Sequence, residues 1–154
     1  MPTDIQKIVV LVDFSECSDA AFEMALAIRE KFRASLEVMH VWAAPTYAGT
    51  ESVVVHTPEG PNLTLAQYVH DQAEAEMRDF MKRLEARGIT GVSARVISGD
   101  PVETIVTASA DFDLLVLGTH GRGGLAHLFL GSVAERVVRR AKAPVLTVHA
   151  PKRA

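Results

Sequence analysis

The sequence predicts an α/β protein built on one open, five-stranded parallel sheet, strand order 3-2-1-4-5, with helices on both faces in a Rossmann-like arrangement. Three observations carry that expectation. Short apolar runs rich in Val, Ile and Leu alternate with segments of helical period along the chain, the pattern of a doubly wound fold. The first run, Ile8-Val9-Val10-Leu11-Val12, has no polar alternation, as expected of a strand buried on both faces. A helical segment separates each main strand from the next, which makes the connections parallel and right-handed.

Ile8 to Val12 is the first strand, ended by Asp13-Phe14-Ser15. Ser18 to Phe32 follows as a helix, with Ala21, Ala25, Ile28 and Phe32 spaced for one apolar face. Leu36 to Trp42 is the second strand. Residues 43–63 contain Pro45, Gly49, Pro58, Gly60 and Pro61 and read as a long connection, a class that is often functional. Val53-Val54-Val55 reads as a short extra strand within it. Thr64 to Arg87 is the longest helix, with Val69, Ala73, Met77, Phe80 and Leu84 in one core stripe and Gly88 as its stop.

Val92, Ala94 and Val96 alternate as a third strand. Asp100 then stands as N-cap with Pro101 at the first helical position, opening a short helix that carries Val102, Ile105 and Val106. Asp113 to Gly118 is the fourth strand, Ser132 to Ala143 the last helix, and Pro144 to His149 the fifth strand.

A length of 154 residues matches one domain, here residues 1–154. The 48% apolar and 23% charged composition is that of a globular chain. A net charge of −3 is a poor match for nucleic acid, whose binders carry a basic face. The five-residue apolar run cannot span a bilayer. One cysteine, Cys17, rules out an internal disulfide and a multi-thiol zinc site. These features place the chain in the cytoplasm, with neither nucleic acid nor membrane as partner.

Two strand ends carry the candidate chemistry. Asp13 follows the first strand, and Gly118-Thr119-His120-Gly121-Arg122-Gly123-Gly124 leaves the fourth. In the predicted order these strands are neighbours at the point where the order reverses, where open α/β sheets hold ligands. Glycines admit close backbone approach and can form an anion nest. Ser132 stands at a helix N-terminus, which favours phosphate, and Arg122 adds charge. A carboxylate such as Asp13 suits a ribose hydroxyl pair.

Each feature also has a plainer reading: Asp13 as the cap of the next turn, Ser132 with Glu135 as a capping box, the glycines as turn residues. No Walker A lysine, G-x-G-x-x-G, HExxH or G-x-S-x-G is present. Arg136, Arg139 and Arg140 read as the solvated face of the last helix.

Gly118-x2-Gly121-x9-Gly131-Ser132 resembles the G-2x-G-9x-G-(S/T) pattern of the universal stress protein family. Val12-Asp13-Phe14-Ser15, His40-Val41, Gly99-Asp100-Pro101 and Lys142-Ala143-Pro144-Val145-Leu146-Thr147-Val148 are similar to that family as well. The resemblance covers essentially the whole chain and points to the ATP-binding branch. It implies that Asp13 and the Gly118 backbone hold a ribose, that the Val41 backbone reads an adenine edge beside Val12, and that Gly121, Gly131, Ser132 and Val133 hold phosphates, with His120 and Arg122 beside them. The implied ligand is ATP, with or without Mg²⁺.

The last strand, Val145-Leu146-Thr147-Val148, carries no charge to deter pairing, so it is an expected homodimer edge, as the resemblance also implies. The leading expectation is an adenine-nucleotide sensor or regulator of stress response, with an unidentified protein partner. The alternatives are a slow Mg²⁺-dependent ATPase or adenylate-transferring enzyme, and a dimeric interaction module without nucleotide.

Overall fold

The computed structural model describes residues 4–44, 53–56, 58–120 and 130–150. In chain order its elements are β1 (Lys7–Leu11), α1 (Glu16–Phe32), β2 (Ser35–Trp42), β3 (Val54–Val55), β4 (Leu63–Thr64), α2 (Leu65–Ala86), β5 (Val92–Ser98), α3 (Pro101–Ala108), β6 (Leu114–Gly118), α4 (Ser132–Arg140) and β7 (Val145–Val148). The main sheet is parallel, in the order β5-β2-β1-β6-β7. The strand numbers differ from the expected 3-2-1-4-5 because the antiparallel pair β3–β4 intervenes in the chain. With that pair set aside, the order is the expected one. The expected extra strand at 53–55 forms as β3 and finds its partner in Leu63–Thr64, at the far end of the same connection.

Alternation along β1 explains why the strand is apolar throughout. Ile8, Val10 and Val12 face the layer of α1 and α2, meeting Phe22 and Phe80. Val9 and Leu11 face the opposite layer, with Ile105 of α3 and Val137 of α4. All five are at most 9% exposed. At about 25 cal/mol per Å² of buried apolar surface, this two-sided burial is the main source of stability.

Local chemistry sets the helix ends. Ser15 caps α1 by accepting from the Ser18 N–H, so the helix begins at Glu16 rather than Ser18. Thr64 and Gln67 form a reciprocal capping box on α2. Asp100 caps α3, and Pro101 stands in its first turn as expected.

Two expectations change, and one plainer reading falls. Ser132 is the first residue of α4, as expected, but Gly131 is the N-cap, and no side chain caps the helix. Glu135 pairs instead with Arg139 at 3.0 Å, so there is no Ser132–Glu135 capping box. The same helix ends at Arg140 rather than Ala143, because Ala141 is already extended on the approach to Pro144. On α1, the buried stripe is Cys17, Ser18, Ala21, Phe22 and Ala25, while Phe32, in the last turn, is 42% exposed.

Candidate functional site at the strand ends

Between the ends of β1 and β6 the chain turns away on opposite faces, α1 leaving one and α4 packing on the other, so a crevice opens there. Its volume is about 430 Å³, within the range of small-ligand sites. Leu11, Met39, Ile105 and Leu117 supply apolar lining, and Val12, Asp13, Val41, Gly118, His120, Gly131, Ser132 and Val133 line it as well. Eight of the ten residues named from the sequence therefore meet at one cleft. Gly121 and Arg122 lie outside the described residues.

The turn after β1 is held tightly. Asp13 Oδ1 accepts from the Ser15 backbone N–H at 3.1 Å and from its hydroxyl at 2.5 Å, so the capping role considered for Asp13 is realised at that oxygen. Phe14 sits at φ 63, a costly region for a bulky side chain. Its ring is held between His40, with centroids 4.8 Å apart, and Phe80, at 6.0 Å. The His40 ring also bonds the Val12 carbonyl through Nδ1 at 2.7 Å. Packing thus offsets the backbone strain that turns Asp13 to the cleft.

Val41 illustrates what a strand end supplies. The Met39 carbonyl faces β1, where it accepts from the Val12 N–H, and the Trp42 carbonyl faces β5, where it accepts from Gly99. Backbone groups in a parallel strand alternate sides, so the Val41 N–H and C=O face the β1 side. That is one step beyond the last rung that β1 provides, and the donor and acceptor stand together at the cleft.

The β6 end meets α4 at Gly131, whose N–H donates to the Thr119 carbonyl at 2.7 Å. The uncapped N-terminus of α4 leaves backbone N–H groups and the positive end of its dipole at Ser132, which is exposed. A Cβ built on Gly131 would lie 3.7 Å from His120 Cα, so the imidazole residue adjoins that helix end. His120 Nε2 is shielded from solvent and has no hydrogen-bond partner among the described residues.

Sequence reasoning missed the group behind this wall. Thr119, 1% exposed, places its hydroxyl 3.0 Å from His120 Nδ1 and 3.2 Å from His149 Nδ1, with Cys17 Sγ 3.7 Å away. Cys17 donates to the Val148 carbonyl. No spacing along the chain advertises contacts between positions 17, 119 and 149.

On the outer side, Arg140 of α4 forms a two-point bond to Glu103 of α3, which holds the Glu103 carboxyl below its ordinary range. Among the described residues, no helix is long and apolar enough to cross a membrane.

Comparison with known proteins agrees with this architecture. The model of the universal stress protein family matches residues 4–149. Universal stress protein MJ0531 of Methanocaldococcus jannaschii is 30% identical over 150 residues, 96% of this chain and 84% of that one. A universal stress protein of Thermus aquaticus is 44% identical over 107 residues, 65% of this chain and 78% of its own. The chain spans under half of a longer relative from Mycobacterium tuberculosis. Among solved structures, the universal stress protein UspA of Lactobacillus plantarum superposes with a TM-score of 0.74 at 25% identity, covering 95% of this chain and 99% of that one. A universal stress protein crystallised in complex with cAMP superposes at 0.65 and 28% identity, covering 97% of this chain and all of that one. By sequence and by fold, the chain belongs to the universal stress protein family.

Proposed function

We propose that the cleft binds an adenine nucleotide, ATP with or without Mg²⁺, and that the protein is a cytoplasmic, homodimeric sensor or regulator in the stress response, built as one domain. One observation carries the reading. A single crevice joins apolar lining, a backbone donor–acceptor pair at Val41, the Asp13 carboxylate and the open N-terminus of α4 beside an imidazole nitrogen with no partner among the described residues. These match in kind a flat base with a hydrogen-bonding edge, a hydroxylated sugar and an anionic tail. The shielded His120 Nε2 is costly unless a ligand atom satisfies it. The relative solved with cAMP supports a nucleotide as the ligand class.

In this reading Asp13 and the Gly118 backbone hold the ribose, and Val41 and Val12 hold the base. Gly131, Ser132, Val133 and His120 face the phosphates, with Gly121 and Arg122 as further phosphate-side residues of the motif. The dimer forms through β7, the sheet edge. Calorimetric titration with ATP and Mg²⁺, with the same mixture assayed for ADP, tests the ligand claim. Saturable binding without ADP supports a regulator, steady ADP release makes the protein an ATPase, and no binding at millimolar ATP refutes the nucleotide reading.

A further inference from the structure

The Thr119 hydroxyl carries one proton and faces two imidazole nitrogens, His120 Nδ1 at 3.0 Å and His149 Nδ1 at 3.2 Å. For both contacts to be hydrogen bonds and for the buried hydroxyl proton to find a good acceptor, one nitrogen must accept that proton and the other must donate its own into an oxygen lone pair. Cys17 does not compete for it strongly, because its sulfur is a weak acceptor and its own S–H is directed to the Val148 carbonyl. The two rings therefore cannot choose tautomers independently. His120 adjoins the α4 N-terminus, and its far nitrogen is shielded and has no partner among the described residues. His149 follows β7 and is exposed.

We propose that Thr119 and His149 are positioning residues that present His120 to a phosphate oxygen as an Nε2–H donor, so that occupation of the cleft is registered as a tautomer change at His149, on the end of the edge strand. The inference rests on the nucleotide reading above. An anion at His120 Nε2 requires a proton there. In a neutral ring that leaves Nδ1 bare, to accept the Thr119 hydroxyl. The hydroxyl oxygen then takes its second bond from His149 Nδ1–H, and His149 Nε2 is left bare at the surface. From the free state, with protons on His120 Nδ1 and His149 Nε2, the His120 Nδ1 proton passes to the Thr119 oxygen as the hydroxyl proton passes to His149 Nδ1. His149 Nε2 gives its proton to solvent and His120 Nε2 takes one from water in the cleft, so each ring keeps one proton and no net charge moves. The site thereby signals to the strand through which we propose the dimer forms.

The test is ¹⁵N NMR of the imidazole nitrogens in histidine-labelled full-length protein, at about pH 8.5, two units above the ordinary imidazole value. Spectra are recorded free, with adenosine, and with ATP and Mg²⁺, while calorimetry on the same samples reports binding. ATP moves His149 to the Nδ1–H form and His120 to the Nε2–H form, whereas adenosine, which has no phosphate, moves neither. Thr119→Val weakens ATP binding about tenfold by stranding two ring nitrogens and abolishes the His149 response, and Thr119→Ser restores both. Binding of ATP with His149 unmoved overturns the relay and leaves the nucleotide reading standing. Absence of binding overturns both.

Discussion

A methyl group added to Gly118 would sit 2.8 Å from Cys17 Sγ and 3.0 Å from the Cys17 carbonyl carbon. The end of β6 and the start of α1 meet there with no room for a side chain, directly behind the cleft. Gly118→Ala therefore destabilises the fold by about 1–3 kcal/mol, as overpacking does, measured by urea unfolding. Adding Cys17→Ala restores only part of the loss, because the backbone contacts remain. For the same reason Gly118 is a poor position at which to test nucleotide binding.

Ser132 offers a cleaner test. It opens α4 and caps nothing, so Ser132→Asp places a carboxylate at the favourable end of the helix dipole, and thermal stability holds or rises slightly. The same carboxylate repels phosphate. Calorimetry is expected to show ATP affinity falling roughly tenfold or more while adenosine binds as in the wild type. Equal loss for both ligands would count against a phosphate subsite at this helix.

Phe14 stores strain that packing offsets. Phe14→Ala gives up the ring contacts and keeps the left-handed backbone, whereas Phe14→Gly gives up the contacts and relieves the backbone. The glycine variant is expected to be more stable than the alanine variant by about 1 kcal/mol, the reverse of their order in ordinary positions. Denaturant midpoints of the two variants settle the order.

The bond between Glu103 and Arg140 joins α3 to α4, and hydrogen bonding to the guanidinium holds the Glu103 carboxyl below its ordinary range. A carboxyl lowered in the folded state contributes stability that is present above its unfolded value, about 4.3. That contribution is lost as pH falls through the lower folded value. Both side chains are about half exposed, so the effect is small and screened by salt. The stability difference between wild type and Glu103→Gln is expected near neutrality at low salt and to vanish in acid; a difference that grows in acid contradicts it.

On β7, the Val148 and Pro144 carbonyls accept from Thr119 and Leu115 of the β6 side, so alternation turns the Thr147 N–H outward. Proline is tolerated at an edge position whose N–H faces away from the sheet. Thr147→Pro is expected to sediment as a folded monomer where the wild type sediments as a dimer. A wild type that is monomeric at micromolar concentration would refute the β7 dimer.

Much of this was legible along the chain because local rules set it. Asp100-Pro101 announced the start of α3, and the unbroken run from Ile8 to Val12 announced a central strand. The start of α4 at Ser132 was legible as well, and only the alternative of a Ser-x-x-Glu capping box fails, because Gly131 takes the cap position and Glu135 turns to Arg139. The pairing of Val54–Val55 with Leu63–Thr64 was half visible, since β3 is a run of valines whereas Leu63–Thr64 reads in sequence as the approach to the α2 cap. The cluster of Cys17, Thr119 and His149 was not legible at all. It exists only once β6 and β7 pair and α1 packs behind them, and no local pattern encodes that meeting.

The central claim is that one nucleotide spans the Val41 strand end and the α4 N-terminus. Backbone amide NMR during titration with ATP and Mg²⁺ tests it most directly. The account predicts saturable shifts at Val41, Gly118 and Ser132 that fit a single binding constant, with adenosine moving Val41 and leaving Ser132 in place. Saturating ATP that leaves Val41 and Ser132 unmoved, or moves them with different constants, would contradict it.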